Sequence, residues 1–146
     1  MSGIPFPRNA RLPADAYSNR EHTFHVVIHA FPDIQPFRAA LGQAIWGSLF
    51  AELDRQSVQL LAACLMPDHL HTIVKPLELA IPAWVHNFKS VSTHRAREQS
   101  GPPRIWQPGF YDRRIRDERE YDATLQYVLS NPSKANLADW PFVYPR

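Results

Sequence analysis

His69 and His71 stand two residues apart in the run Met66-Pro67-Asp68-His69-Leu70-His71-Thr72-Ile73-Val74. The run reads as a strand, in which residues i and i+2 face the same way, ~6–7 Å apart along the chain. Both imidazoles then reach one divalent cation, while Leu70 and Thr72 face the other side. Neutral imidazole binds several first-row metals, and two of them leave coordination positions open for water or substrate oxygens. In a chain with seven histidines such a pair is weakly specific by itself, so its meaning depends on what the rest of the chain supplies.

The second reactive group is a tyrosine. A helix is expected over residues 117–130, with Asp117 as N-cap and Glu120 completing a capping box. Tyr121, Leu125, Val128 and Leu129 line its apolar stripe. Tyr127 falls off that stripe, on the side shared with Asn131 one turn later. A tyrosine hydroxyl is a weak nucleophile, with an ordinary pKa near 10. A cation that binds a scissile phosphate polarises phosphorus and neutralises charge in the transition state. Attack by Tyr127 would give a phosphotyrosine and free a 3′-hydroxyl. The covalent bond conserves the energy of the broken phosphodiester, so the strand can be rejoined without ATP. Asn131 offers a carboxamide oxygen to the same cation. Two histidines, that oxygen and waters accommodate Mn²⁺ or Mg²⁺, although Mg²⁺ prefers all-oxygen ligands. Tyr111 and Tyr121 are the competing tyrosines.

The charge distribution points to a polyanion. The formal net charge is only +2. Between residues 79 and 116, however, Lys89, Arg95, Arg97, Arg104, Arg113, Arg114 and Arg116 are opposed only by Glu98 and Asp112. Trp106, Phe110 and Tyr111 interleave with the later arginines, a pattern able to stack on unpaired bases while guanidiniums hold phosphates. An aromatic core cluster is the alternative, and for Trp106 and Phe110 the favoured one. Cys64 is the sole cysteine, so there is neither a disulfide framework nor a thiolate metal site, as suits a reducing cytoplasm. No signal peptide, membrane span or lipidation motif is legible.

These groups need elements to position them. Residues 1–22 read as an irregular arm, either a loosely packed tail or one whose Arg8, Arg11 and Arg20 touch phosphates. Residues 24–30 alternate as a strand, with His25, Val27 and His29 on one face, so either histidine joins the site if this strand neighbours that of His69. Residues 33–54 repeat apolar positions at helical spacing through Ile34, Phe37, Leu41, Ile45, Leu49 and Leu53. Residues 58–65 form a buried strand, and Pro67-Asp68 turns it into the histidine strand as a hairpin. A basic helix follows over 81–99, then a distorted edge strand over 104–115, then the tyrosine helix, which Asn131-Pro132 ends or leads out of. Residues 132–146 read as an apolar strap. The order βαββαβα with right-handed crossovers gives an α+β fold, a ferredoxin-like antiparallel four-stranded sheet in a single domain over 1–146. The helices need one sheet face, which leaves the opposite face to His69 and His71.

At this point the residues resemble a family. The run Met66-Pro67-Asp68-His69-Leu70-His71 is similar to the HUH motif (histidine, bulky hydrophobic, histidine) of single-tyrosine, IS200-like transposases. Trp106-Gln107-Pro108-Gly109-Phe110, the run from Tyr127 through Asn131-Pro132 to Lys134-Ala135, and the tail from Trp140-Pro141 to Tyr144 resemble the C-terminal half of the REP-associated tyrosine transposases. The resemblance covers residues 24–144. It implies a catalytic tyrosine at Tyr127, metal-binding histidines at His69 and His71, and a polar amide ligand at Asn131, where transposases outside this subgroup carry glutamine. It also implies a single-stranded DNA substrate, often a hairpin formed by a palindromic repeat, with Lys89, Arg95, Arg97, Arg113, Arg114 and Arg116 on its backbone. The setting implied is the bacterial cytoplasm, at the nucleoid, with a monomer favoured over a homodimer. The rival expectation is a domesticated, non-catalytic single-stranded DNA- or RNA-binding protein. A metal-dependent hydrolase of small phosphoesters is a third, and it would need no aromatic and basic surface.

Overall fold

A computed structural model describes residues 12–34, 39–99 and 101–145. Arg8, Arg11 and Phe37 lie outside the described residues. The strands are β1 (Thr23–His29), β2 (Val58–Met66), β3 (His69–Pro76), β4 (Tyr111–Ile115) and β5 (Val143–Tyr144), and the helices are α1 (Ala39–Asp54), α2 (Ile81–Glu98) and α3 (Glu118–Lys134). The sheet runs β4-β1-β3-β2-β5, antiparallel throughout. Its first four strands have the order that right-handed crossovers impose on βαββαβ. The expected α+β antiparallel fold is therefore present, with one correction. The sheet has five strands, not four, because Val143 and Tyr144 of the expected strap pair with Cys64 and Ala63.

Strand alternation divides the structure into two layers. Phe24, Val26 and Ile28 of β1 and Leu70 and Val74 of β3 face α1 and α2, where Ile45, Leu49, Trp84, Val85 and Phe88 complete the main core. His25 and His29, with His69 and His71, take the other face. A bulge between Leu60 and Ala62 shifts the phase of β2. Leu60 and Ala63 thereby join the main core, while Ala62 and Cys64 turn to the histidine side. These small side chains leave room for α3, whose Val128, Tyr121 and Leu125 pack on Ala62, Cys64, Ile73 and Ile115. The helices thus occupy both faces: α1 and α2 take the one expected, and α3 lies across the histidines.

The ends of α3 follow from its sequence. Asp117 Oδ1 accepts the Glu120 N–H at 2.8 Å, and Glu120 Oε1 accepts the Arg116 N–H at 3.0 Å. Asn131-Pro132 does not end the helix. Pro132 removes one N–H near the C-terminus, yet another turn forms, and Ala135 N–H donates to the Asn131 and Pro132 carbonyls. The expected distorted strand over 104–115 is regular only at Tyr111–Ile115; before it, Trp106 makes an isolated bridge to Ala30 and Gly109 takes φ 78°. The expected helix over 33–54 is a 3-10 turn at Pro32–Ile34 and then α1. The described part of the N-terminal arm is packed. Tyr17 is buried against Phe24, its hydroxyl donating to Asp112 Oδ2 at 3.0 Å and accepting from Leu12 N–H.

Candidate active site

Pairing β1 with β3 sets Val27 opposite His71 and His29 opposite His69. Four imidazoles therefore form a row across two adjacent strands. The His25 and His71 ring centroids lie 5.2 Å apart, those of His69 and His71 4.7 Å, and those of His29 and His69 5.2 Å. His69 and His71 share a face, and their Nε2 atoms converge at 3.0 Å.

The neighbours of this pair define its protons. Asp68, in the hairpin turn, places Oδ1 2.6 Å from His69 Nδ1, so Nδ1 carries a hydrogen and Nε2 is the atom left to face His71. His71 Nδ1 lies 3.0 Å from His25 Nε2. The ring hydrogen of a neutral His71 has two possible seats. In one, His71 donates from Nε2 to His69 and accepts at Nδ1 from His25. In the other, His71 donates from Nδ1 to His25, and two Nε2 lone pairs face each other. Only a cation between them makes the second arrangement favourable. Cis ligands of an octahedral ion with bonds of about 2.1 Å lie about 3 Å apart, so the pair fits such an ion. A carboxylate or second imidazole on the far ring nitrogen is the usual support of a metal-binding histidine. Among the described residues, no group of three or more His, Cys, Asp or Glu side chains converges as a metal site. His25 is thus a hydrogen-bond partner of His71.

Burial keeps His71 and its partner His25 neutral. Burial, followed by the charges of Arg113 and His69, pushes His25 down to about 4. Burial, with its histidine neighbours, holds His71 well below the usual range. Burial also lowers His29. The hydrogen bond from His69 is the main reason Asp68 lies below the ordinary carboxylate range.

Tyr127 reaches this row from α3. Its ring meets His71 edge-on at 5.4 Å between centroids and His25 at 6.2 Å. Burial raises its pKa, so the hydroxyl is protonated at neutral pH. Lys134, two turns on, sets Nζ 5.3 Å from the centre of the Tyr127 ring. Asn131 is buried and donates from Nδ2 to the Tyr127 carbonyl at 2.7 Å, which leaves Oδ1 as an acceptor. Of the competing tyrosines, Tyr121 packs in the small core beneath α3, and Tyr111 meets His29 at 5.5 Å, at the other end of the row.

The six basic residues do not form one surface. Helix α2 lies on the face away from the histidines, as the one-face packing of α1 and α2 requires, so its cations are remote from the histidine row. Lys89 Nζ donates to the carbonyls of Gln107 at 2.9 Å and Gly109 at 2.6 Å, and Arg97 donates to the Pro103 carbonyl at 2.7 Å. Arg95 lies over Gly47 of α1. Arg113 pairs with His25 across β1 and β4, so it shares the histidine face, where it also meets Glu120 at 3.7 Å. Arg114 alternates to the opposite face, and Arg116 is exposed beyond the strand end. A groove of about 420 Å³ beside α2 is lined by His86, Lys89, His94, Arg97, Arg104 and Trp106, among others. Trp106 is buried and donates to Ser92 Oγ, and Phe110 packs against the main core, so neither is a free stacking platform.

Sequence reasoning had no role for Asp68 or Lys134. The signals were present: Asp68 precedes the first histidine, and Tyr127, Asn131 and Lys134 follow the i, i+4, i+7 spacing of one helix face.

The family model for IS200-like transposases matches residues 18–131, a span that holds His25, His69, His71, Tyr127 and Asn131. The chain belongs to that family. A REP-associated tyrosine transposase of Escherichia coli is 30% identical to this IS200-like chain, over 53% of the chain and 48% of the relative. An uncharacterised Haemophilus influenzae protein is 31% identical, over 47% of the chain and 51% of the relative. The chain spans about half the length of these curated relatives. Its fold is similar to that of a REP-associated tyrosine transposase solved bound to a REP hairpin, with a TM-score of 0.75 and 21% identity over 94% of this chain and 82% of that one. A Deinococcus radiodurans protein solved as a candidate transposase aligns with a TM-score of 0.55 and 15% identity, over 88% of this chain and 95% of that one. Within the described residues of this transposase-family chain, no helix is long and apolar enough to cross a membrane.

Proposed function

We propose that this chain nicks and rejoins single-stranded DNA, with Tyr127 as nucleophile and His69, His71 and Asn131 as ligands of Mg²⁺ or Mn²⁺. The observation that carries the proposal is the seating of Tyr127, from a helix far along the chain, against the ring of His71. When bound, the ion supplies charge neutralisation at the scissile phosphate. Asp68 and His25 hold the two imidazoles in register, and the hydrogen bond from Asn131 Nδ2 to the Tyr127 backbone carbonyl fixes the side chain of the third ligand.

The Tyr127 oxygen attacks phosphorus and releases its proton, and the bond from phosphorus to the 3′-oxygen breaks. That oxygen leaves and is protonated to a 3′-hydroxyl, while the 5′-phosphate stays on Tyr127. Rejoining is the reverse attack by a 3′-hydroxyl. Lys134 favours the developing phenolate by placing a positive charge over its ring. Repeat hairpins are the proposed substrate, since a solved structure of similar fold holds a REP hairpin. The proposed acting form is a monomer.

The test uses labelled single-stranded hairpin repeats, incubated with protein and Mn²⁺ and resolved on a denaturing gel. A cation-dependent shifted band, absent in Tyr127→Phe and His69→Ala, is expected. Hairpin binding without any shifted band would instead support the non-catalytic binding protein.

A further inference from the structure

Beyond the histidine pair, the row of imidazoles ends at a cavity of about 90 Å³ lined by His29, Gln107, Pro108, Gly109, Phe110 and Tyr111. We infer that this cavity receives one unpaired nucleobase of the DNA strand, next to the scissile phosphate, and sets sequence preference there. The inference rests on the proposed function.

Position is the first argument. The His29 ring lies 5.2 Å from His69 and 5.5 Å from Tyr111, so the cavity adjoins one of the two imidazoles assigned to the cation. A strand whose phosphate sits at His69 and His71 places a neighbouring nucleotide at this spot. The second argument is chemistry. The lining offers the rings of His29 and Tyr111, with the core-packed Phe110 behind them, and such surfaces favour a flat heteroaromatic group. His29 Nε2 is buried and, among the described residues, has no hydrogen-bond partner. An unpaired buried polar atom often marks a site completed by something outside the chain. A cavity of this size is too small for a base pair.

The third argument is that the cavity is held open by its surroundings. Lys89 donates to both the Gln107 and Gly109 carbonyls. Gln107 donates its side-chain amide to the Ala30 carbonyl at 2.8 Å and its backbone N–H to the His29 carbonyl at 2.8 Å. Gly109 adopts φ 78°, a conformation that glycine takes without strain. Lys89 is therefore a positioning residue for this loop, and a loop fixed on two sides binds without the cost of ordering itself.

Binding separates this inference from the chemistry. A fluorescent repeat hairpin with single-stranded flanks is titrated with Tyr127→Phe protein in Mn²⁺, and abasic sites are moved one by one through the flanks. One flanking position should show a loss of about tenfold in affinity, the effect of a lost base-stacking contact. In Tyr127→Phe/Tyr111→Ala that loss should shrink to about threefold or less, with penalties at all other positions unchanged. Tyr127→Phe/His29→Leu, which alters the opposite wall and keeps apolar bulk, should reproduce the effect even if the first variant fails to fold. Equal abasic penalties in parent and wall variants would overturn the base pocket alone. A parent that binds no single-stranded hairpin would overturn the proposed function together with the pocket.

Discussion

His69 and His71 point their Nε2 atoms at each other across 3.0 Å, and their far nitrogens are occupied by Asp68 and His25. This gives His25 a defined task. With the cation bound, His25 receives the Nδ1 hydrogen of His71, so His25→Ala should weaken Mn²⁺ binding by about 10- to 100-fold. His25→Gln restores an acceptor and should recover part of the loss. Calorimetric titration with Mn²⁺ measures both, and unchanged affinity in His25→Ala would remove His25 from the site.

Stability should fall as pH falls below the ordinary histidine pKa. His25 and His71 are kept neutral in the folded chain by burial, while in the unfolded chain they take up protons near 6.5. Protons therefore favour unfolding, and stability that is intact above pH 6.5 is lost progressively down to about 4, the folded value of His25. Each such histidine contributes a slope of up to about 1.4 kcal/mol per pH unit. Urea unfolding across this range measures the slope, and His25→Leu should make it shallower. The Asp68 carboxylate acts at lower pH, because its folded value is depressed below the usual carboxylate range.

The cations divide by role. Arg113 shares the histidine face and should contact phosphate, so Arg113→Ala should reduce the salt dependence of DNA binding by about one unit of slope. Lys89→Met should leave that slope unchanged. It should instead destabilise the fold by about 1–2 kcal/mol, since it breaks two charge-assisted hydrogen bonds to the 107–109 loop. Binding isotherms at several salt concentrations and urea unfolding distinguish the two. A reduced slope in Lys89→Met would return Lys89 to the DNA interface.

The parts legible in the sequence were those fixed by local periodicity. Alternation paired His25 with His29 in β1 and His69 with His71 in β3, leaving to the strand order whether the two pairs meet, and helical phase separated Tyr127 from Tyr121. Those signals need only neighbours a few residues away. The direction of Lys89 was not legible, because its carbonyl partners lie in a loop 18 and 20 residues on. The split between Arg113 and Arg114 was hidden by the Pro108-Gly109 break, which obscures where the alternation of β4 begins. The fifth strand was missed because two residues carry too little pattern to differ from a strap.

The most direct test of the central claim is to find the residue that carries the DNA. Trypsin cleavage after Arg119 and Lys134 leaves Tyr121 and Tyr127 in one peptide, 120–134, and fragmentation by mass spectrometry separates them. The account predicts the 5′-phosphate on Tyr127, formed only with Mn²⁺ or Mg²⁺. A phosphate on Tyr121 or Tyr111 would contradict it, because neither ring is seated against His71 as that of Tyr127 is.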